Sequence, residues 1–115
     1  MWEKISKTAA LKEGKPISVQ REGKHILVVR LGQDYFATTG RCPHLGCLLA
    51  NGTIAGTIIT CPCHGSSFDV TDGHLVGWIS KWPKVISVIT QKIGMARSLK
   101  TYRVEVRRED VFLDL

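Results

Sequence analysis

The sequence predicts an all-β domain built around a single core. Three observations lead there. Its apolar stretches are short, rich in β-branched residues and bounded by Gly-centred turns, as in Ile26 to Leu31. No long stretch carries the 3.6-residue period of an amphipathic helix, so little helix is expected. Its 115 residues, 43% hydrophobic and 23% charged, suffice for one core and not for two. Only four Pro and eleven Gly argue against a disordered chain.

Trp2-Glu3-Lys4-Ile5 reads as a short first strand. Ile17 to Gln20 and Ile26 to Leu31 flank Arg21-Glu22-Gly23-Lys24, a hairpin signal with Gly at its centre. Tyr35 to Thr38 forms the next strand, after a turn at Gly32-Gln33-Asp34. Thr57 to Thr60 is a strand candidate that ends on Cys61, and Ser67 to Val70 is another, turned by Thr71-Asp72-Gly73. Residues 77–93 carry Trp78, Trp82 and Pro83, then the β-branched run Val85 to Ile89. This segment reads as an extra edge strand or hairpin, or as a partner-docking element, since tryptophans outside a core pattern can mark a contact surface. Tyr102 to Val106 alternates, Arg108-Glu109-Asp110 turns, and Val111 to Leu113 closes the sheet.

The chemistry is concentrated between Cys42 and Asp69. All four cysteines and two of the four histidines lie there, in Cys42-Pro43-His44-Leu45-Gly46-Cys47 and Cys61-Pro62-Cys63-His64-Gly65-Ser66-Ser67-Phe68-Asp69. Thiolate and imidazole donors suit zinc, copper and iron–sulfur centres. A zinc finger requires a close pair of Cys followed well downstream by a close pair of His. Here each loop offers one thiolate and one imidazole, the donor set of a [2Fe–2S] cluster held by two Cys and two His. A structural zinc site, or two disulfides, would account for the cysteines alone, but not for a His at this spacing in each loop. His25 lies in a strand candidate and His74 follows a turn, so both are expected at the surface or half-buried, away from any metal.

On these residues the chain resembles the Rieske family, whose pattern is Cys-x-His, a spacer, then Cys-x-x-His; the spacer here is the sixteen residues 45–60. The resemblance implies an antiparallel β-barrel or sandwich base with a small inserted cluster-binding subdomain. That base would span about 1–41 and 70–115, the subdomain about 42–69, with 77–93 a family-atypical insertion in a single domain of 1–115. It implies that Cys42 and Cys61 hold one iron of a Rieske [2Fe–2S] cluster while His44 and His64 hold the other. Cys47 and Cys63 stand where Rieske proteins of cytochrome bc-type complexes form a disulfide, which oxygenase-type Rieske ferredoxins usually lack. The cysteine set is thus similar to that of soluble archaeal Rieske proteins of the sulredoxin kind. The resemblance also places Leu45, Gly46, Gly65, Ser66 and Phe68 around the cluster. Ser66 would donate a hydrogen bond to a bridging sulfide, and Phe68 replaces a tyrosine that bonds a ligand sulfur. A potential between those of respiratory-complex proteins and oxygenase ferredoxins is expected. The family's Pro-rich covering loop corresponds either to Gly94 to Tyr102, with Met95 and Arg97 in place of the prolines, or to Trp82-Pro83.

Charge and targeting signals complete the expectation. Met1 to Pro16 scatters Lys4, Lys7, Lys12 and Lys15 among apolar residues, with no secretory core, and no apolar run approaches the ~18 residues of a membrane span. A cytoplasmic chain without a transmembrane anchor is expected. A structural disulfide in that compartment points to a hyperthermophilic source. The net charge is +6, yet the basic residues form no dense run and are interleaved with acids, so nucleic acid is not the expected partner. No Lys or Arg falls between Cys42 and Ser80, where the only charged side chains are Asp69 and Asp72. An uncharged tip bearing Leu45, Leu48 and Leu49 suits an apolar or quinone-like pocket, and a basic body including Lys81, Lys84 and Arg97 suits an acidic redox partner. With no nucleophile, general base or substrate pocket in view, the expected role is a one-electron carrier of relatively high, pH-dependent potential and not an enzyme. The alternatives are the ferredoxin component of an oxygenase system and a non-redox metal module.

Overall fold

The strand Lys24–Leu31 (β3) sits between two cores, and the rest of the fold is layered on its two faces. The computed structural model describes residues 2–42, 46–63, 65–77 and 98–115. Ile26, Leu27, Val28 and Val29 are all fully buried, and side chains alternate across a strand with period two. Leu27 and Val29 therefore enter one core with Cys42, Leu49, Ile59, Cys61, Phe68, Val70 and Leu99. Ile26 and Val28 enter the other, with Ile5, Leu11, Ala37, Val111 and Leu113. A strand buried on both faces reads as an unbroken apolar run, which is how β3 appears in the sequence.

β3 belongs to a four-stranded antiparallel sheet ordered β2-β3-β4-β9, with β2 at Ile17–Arg21, β4 at Asp34–Thr39 and β9 at Thr101–Tyr102. One face is covered by the three-stranded sheet β1-β11-β10, formed by Trp2–Lys7, Asp110–Asp114 and Val104–Arg107. The other face carries a smaller sheet ordered β5-β6-β7-β8, from Thr53–Ala55, Ile58–Thr60, Ser67–Asp69 and Leu75–Gly77. The two cysteine loops lead from β4 into this small sheet and from β6 into β7. The helical elements among the described residues are two 3-10 turns, Thr8–Ala10 and Leu49–Asn51. None is long and apolar enough to cross a membrane.

The all-β expectation is met, and the first three strands and the last lie where the pattern put them. Three details differ. The alternating segment from Tyr102 to Val106 divides at Arg103, because β9 pairs with β4 while β10 pairs with β11 in the opposite sheet. Arg103 occupies the crossing, its carbonyl accepting from the Asp114 N–H at 3.0 Å. Val70 leaves the strand, its N–H donating to the Thr57 carbonyl at 2.9 Å outside the ladder. The small sheet also gains β5 and β8, two three-residue strands too short to show a period, so it extends to Gly77.

Candidate metal centre

Cys42 and Cys61 are held by the same backbone frame, repeated at an offset of nineteen residues. In the first loop the Cys42 N–H donates to the Cys47 carbonyl at 2.8 Å, and the Gly46 N–H donates to the Cys42 carbonyl at 2.9 Å. In the second the Cys61 N–H donates to the Ser66 carbonyl at 2.7 Å, and the Gly65 N–H donates to the Cys61 carbonyl at 3.2 Å. The base of each loop is an antiparallel pair, Arg41 opposite Leu48 and Thr60 opposite Ser67. Each glycine follows its cysteine by four residues and turns the chain back at φ 74° and 81°. That left-handed backbone suits glycine and costs other L-residues roughly 1–2 kcal/mol.

The frame buries both thiols, leaving Cys42 2% and Cys61 0% exposed, and neither joins a disulfide. Beneath them the equivalent positions Leu49 and Phe68 are fully buried in the core shared with Leu27 and Val29. One buried cysteine is ordinarily a small hydrophobe. Two at matched positions in matched loops, each followed within three residues by a histidine in the sequence, form a donor set suited to soft or borderline metals. Cys47 and Cys63 are joined in a disulfide with their Cα atoms 6.5 Å apart, which ties the loops to each other. The sulfurs of Cys47, Cys61 and Cys63 all lie within 4.8 Å of one another.

Further contacts fix the loops to the body. Arg41, directly before Cys42, donates from Nη1 to the Gly46 carbonyl at 2.7 Å, and its Nη2 lies 3.1 Å from His25 Nε2 on β3. Gly40 donates to the His25 carbonyl at 2.8 Å and accepts from the Leu49 N–H at 2.9 Å. At the far end of β7, Asp69 accepts from the Thr71 hydroxyl at 2.6 Å, the Thr71 N–H at 2.9 Å and the Thr57 hydroxyl at 3.3 Å. These bonds, led by that of the Thr71 hydroxyl, hold the Asp69 carboxyl below the usual aspartate range. Asp72 is held low by the His74 N–H and then by the His74 ring, whose Nδ1 is 2.6 Å from Oδ1.

Of the predicted site residues, Cys42, Cys61 and Phe68 share one buried cluster and Ser66 is fully buried, while the close sulfur group among the described residues is Cys47, Cys61 and Cys63. His44, Leu45 and His64 lie outside the described residues, as do Trp78, Lys81, Trp82, Pro83, Lys84, Met95 and Arg97. His25 is half-buried and His74 is exposed. Sequence reasoning missed Arg41 and the Asp69 brace, because their partners are distant in the chain or set by turn geometry. The loop repeat did leave a signal: a Pro one residue, and a Gly four residues, after Cys42 and Cys61 alike.

Comparison with known proteins agrees with this geometry. The model of the Rieske [2Fe-2S] domain matches residues 1–102. Ferredoxin CarAc of Metapseudomonas resinovorans is 35% identical over 74 residues, covering 64% of this chain and 69% of that protein. The ferredoxin component of the naphthalene 1,2-dioxygenase system of Pseudomonas aeruginosa is 29% identical over 103 residues, covering 90% of this chain and 85% of that protein. Among solved structures, the complex of reduced oxygenase and oxidized ferredoxin in carbazole 1,9a-dioxygenase aligns with a TM-score of 0.78 at 27% identity, covering 97% of this chain and 91% of the matched chain. These relatives are electron-transfer components of bacterial oxygenase systems, the kind of protein that the cysteine pattern alone had placed second. With its paired buried thiols and matched loops, the chain belongs to the Rieske [2Fe-2S] domain family, and its cofactor is that family's [2Fe-2S] cluster.

Proposed function

We propose that this protein is a one-electron carrier that delivers electrons to the oxygenase component of a ring-oxidising or related system. The observation that carries the reading is the repeated backbone frame burying Cys42 and Cys61, found in a chain whose relatives are oxygenase ferredoxins. Cys42 and Cys61 would hold one iron of the cluster and His44 and His64 the other, and Ser66 would supply a hydrogen bond to it. When bound, the cluster supplies a reversible one-electron redox couple. The chain's own residues set its environment. The fully buried Phe68 and Leu49 keep water from the thiolate side, and Arg41 fixes the first loop against β3. The net charge of +6 suits steering toward an acidic face on the partner, within the cytoplasm.

A second reading is favoured by one observation, the Cys47–Cys63 disulfide. It supports a high-potential carrier whose ligand histidines take up protons on reduction. An EPR-monitored redox titration from neutral to alkaline pH separates the two. A negative midpoint that is flat near neutrality is the outcome expected of the oxygenase-linked carrier. A positive midpoint falling by about 59 mV per pH unit for each coupled proton would transfer the assignment to the high-potential class. Absence of any iron–sulfur signal in protein loaded with another metal would overturn both.

A further inference from the structure

The Cys61 sulfur lies within 4.8 Å of both sulfurs of the Cys47–Cys63 disulfide. A reduced cysteine and a disulfide so close are the reactants of thiol–disulfide exchange, already gathered. Cys61 is fully buried, which shields it from external thiols and oxidants but not from its neighbour. Cys63 is exposed and Cys47 half-buried, so a thiol released at Cys63 reaches solvent directly.

We propose that the chain carries an internal latch: without iron on Cys61, its sulfur exchanges with the Cys47–Cys63 disulfide and closes the site to cluster loading. This rests on the reading of Cys61 as an iron ligand. The Cys61 thiol gives its proton to solvent, and its sulfur forms a new S–S bond to the sulfur of Cys47 or Cys63. The original S–S bond breaks, its electron pair leaves on the other sulfur, and that sulfur takes a proton from solvent. One disulfide and two reduced cysteines exist before and after, so no oxidant is consumed. Iron ligation engages the Cys61 sulfur and suppresses the attack; loss of iron permits it. A bridge to Cys61 withdraws one of the two thiolate donors, and a small-molecule or protein dithiol is then required to restore it. Cluster loading thereby becomes conditional on a reducing environment.

The test starts from holoprotein stripped of iron by a chelator, anaerobically and without thiol reductant. Timed samples are quenched in acid with N-ethylmaleimide and denaturant, then peptide-mapped, and parallel samples are reconstituted with iron and sulfide. Labelling of Cys61 is expected to fall by more than half, with an equal gain at Cys47 and Cys63 together and no change in total thiol. Reconstitution should fall by the same factor and recover after dithiothreitol. Retention of the Cys47–Cys63 bridge with full Cys61 labelling would overturn the latch while leaving the ligand assignment untouched. A Cys61→Ser chain that still takes up a cluster with the native EPR signal would instead overturn the ligand assignment, and with it the blocking of loading.

Discussion

Gly73 and Leu99 clasp the small sheet to the chain's final segment. The Leu99 N–H donates to the Gly73 carbonyl at 2.7 Å, and a Cβ built on Gly73 would stand 2.2 Å from the Leu99 carbonyl oxygen. Leu99 in turn is buried in the core that holds Cys42 and Cys61.

Substituting Gly73 should therefore cost far more than substituting Gly46. At Gly73 both the positive φ of 80° and the backbone oxygen of Leu99 oppose any side chain. Among the described residues a Cβ at Gly46 meets nothing within 4 Å, so the expected cost of Gly46→Ala is that of the left-handed backbone. That cost is about 1–2 kcal/mol. Thermal denaturation of the two variants should show a modest loss for Gly46→Ala and a larger loss, with lowered cluster content, for Gly73→Ala.

Removing the disulfide should loosen the site before it unfolds the body. The bridge closes a separation of 16 residues. A loop of that size is worth about 3 kcal/mol in the chain-entropy account. Cys47→Ser paired with Cys63→Ser is expected to lower Tm and to speed loss of cluster absorbance on warming. Equal Tm and equal cluster half-life in the double variant would show that the bridge does not brace the loops.

Ser66 and Phe68 should tune the potential in opposite directions. One net hydrogen bond is worth about 1 kcal/mol, or roughly 40 mV for a single electron. Ser66→Ala is expected to lower the midpoint by that order. Phe68→Tyr should raise it if the added hydroxyl reaches a ligand sulfur, at some cost in stability because position 68 is fully buried. Protein-film voltammetry on both variants checks the signs.

Asp69 gives the fold an acid-sensitive brace. The hydrogen bonds from Thr71 and Thr57 depress its folded pKa below the usual aspartate value, so its contribution is present above the unfolded pKa and fades as pH falls through the folded one. Asp69→Asn should lower Tm by a few degrees at neutral pH, and the gap from the parent protein should narrow as pH falls below about 4. A gap that is constant from neutral to acid pH would mean that the hydroxyl and amide donors of Thr71 and Thr57 do not favour the charged carboxylate.

Arg41 should matter to the first loop more than to the fold. It is exposed, yet it links the Gly46 carbonyl to His25 on β3. Arg41→Ala is expected to broaden the EPR signal and shift the midpoint with little change in Tm, whereas Arg41→Lys, lacking the forked guanidinium, should not fully rescue it.

Much of this was legible in the sequence. The β-branched run from Ile26 to Leu31, set off by Gly-centred turns, announced a strand, and the structure buries Ile26 to Val29 on both of its faces. The spacing of Cys42, His44, Cys61 and His64 announced the donor chemistry, because thiolates and imidazoles gathered in two short loops have few other uses. Local backbone chemistry, Gly after Cys in both loops, even encoded the repeated frame. Only the tertiary structure decided what depends on residues far apart in sequence: that Leu27 and Val29 face the metal loops while Ile26 and Val28 face the opposite sheet, that Arg103 is where the chain crosses between sheets, and that Leu99 closes on Gly73. Such choices are made by which surfaces are left to be buried once the strands have paired, and a linear pattern carries the period of a strand but not the identity of the layer that will cover it.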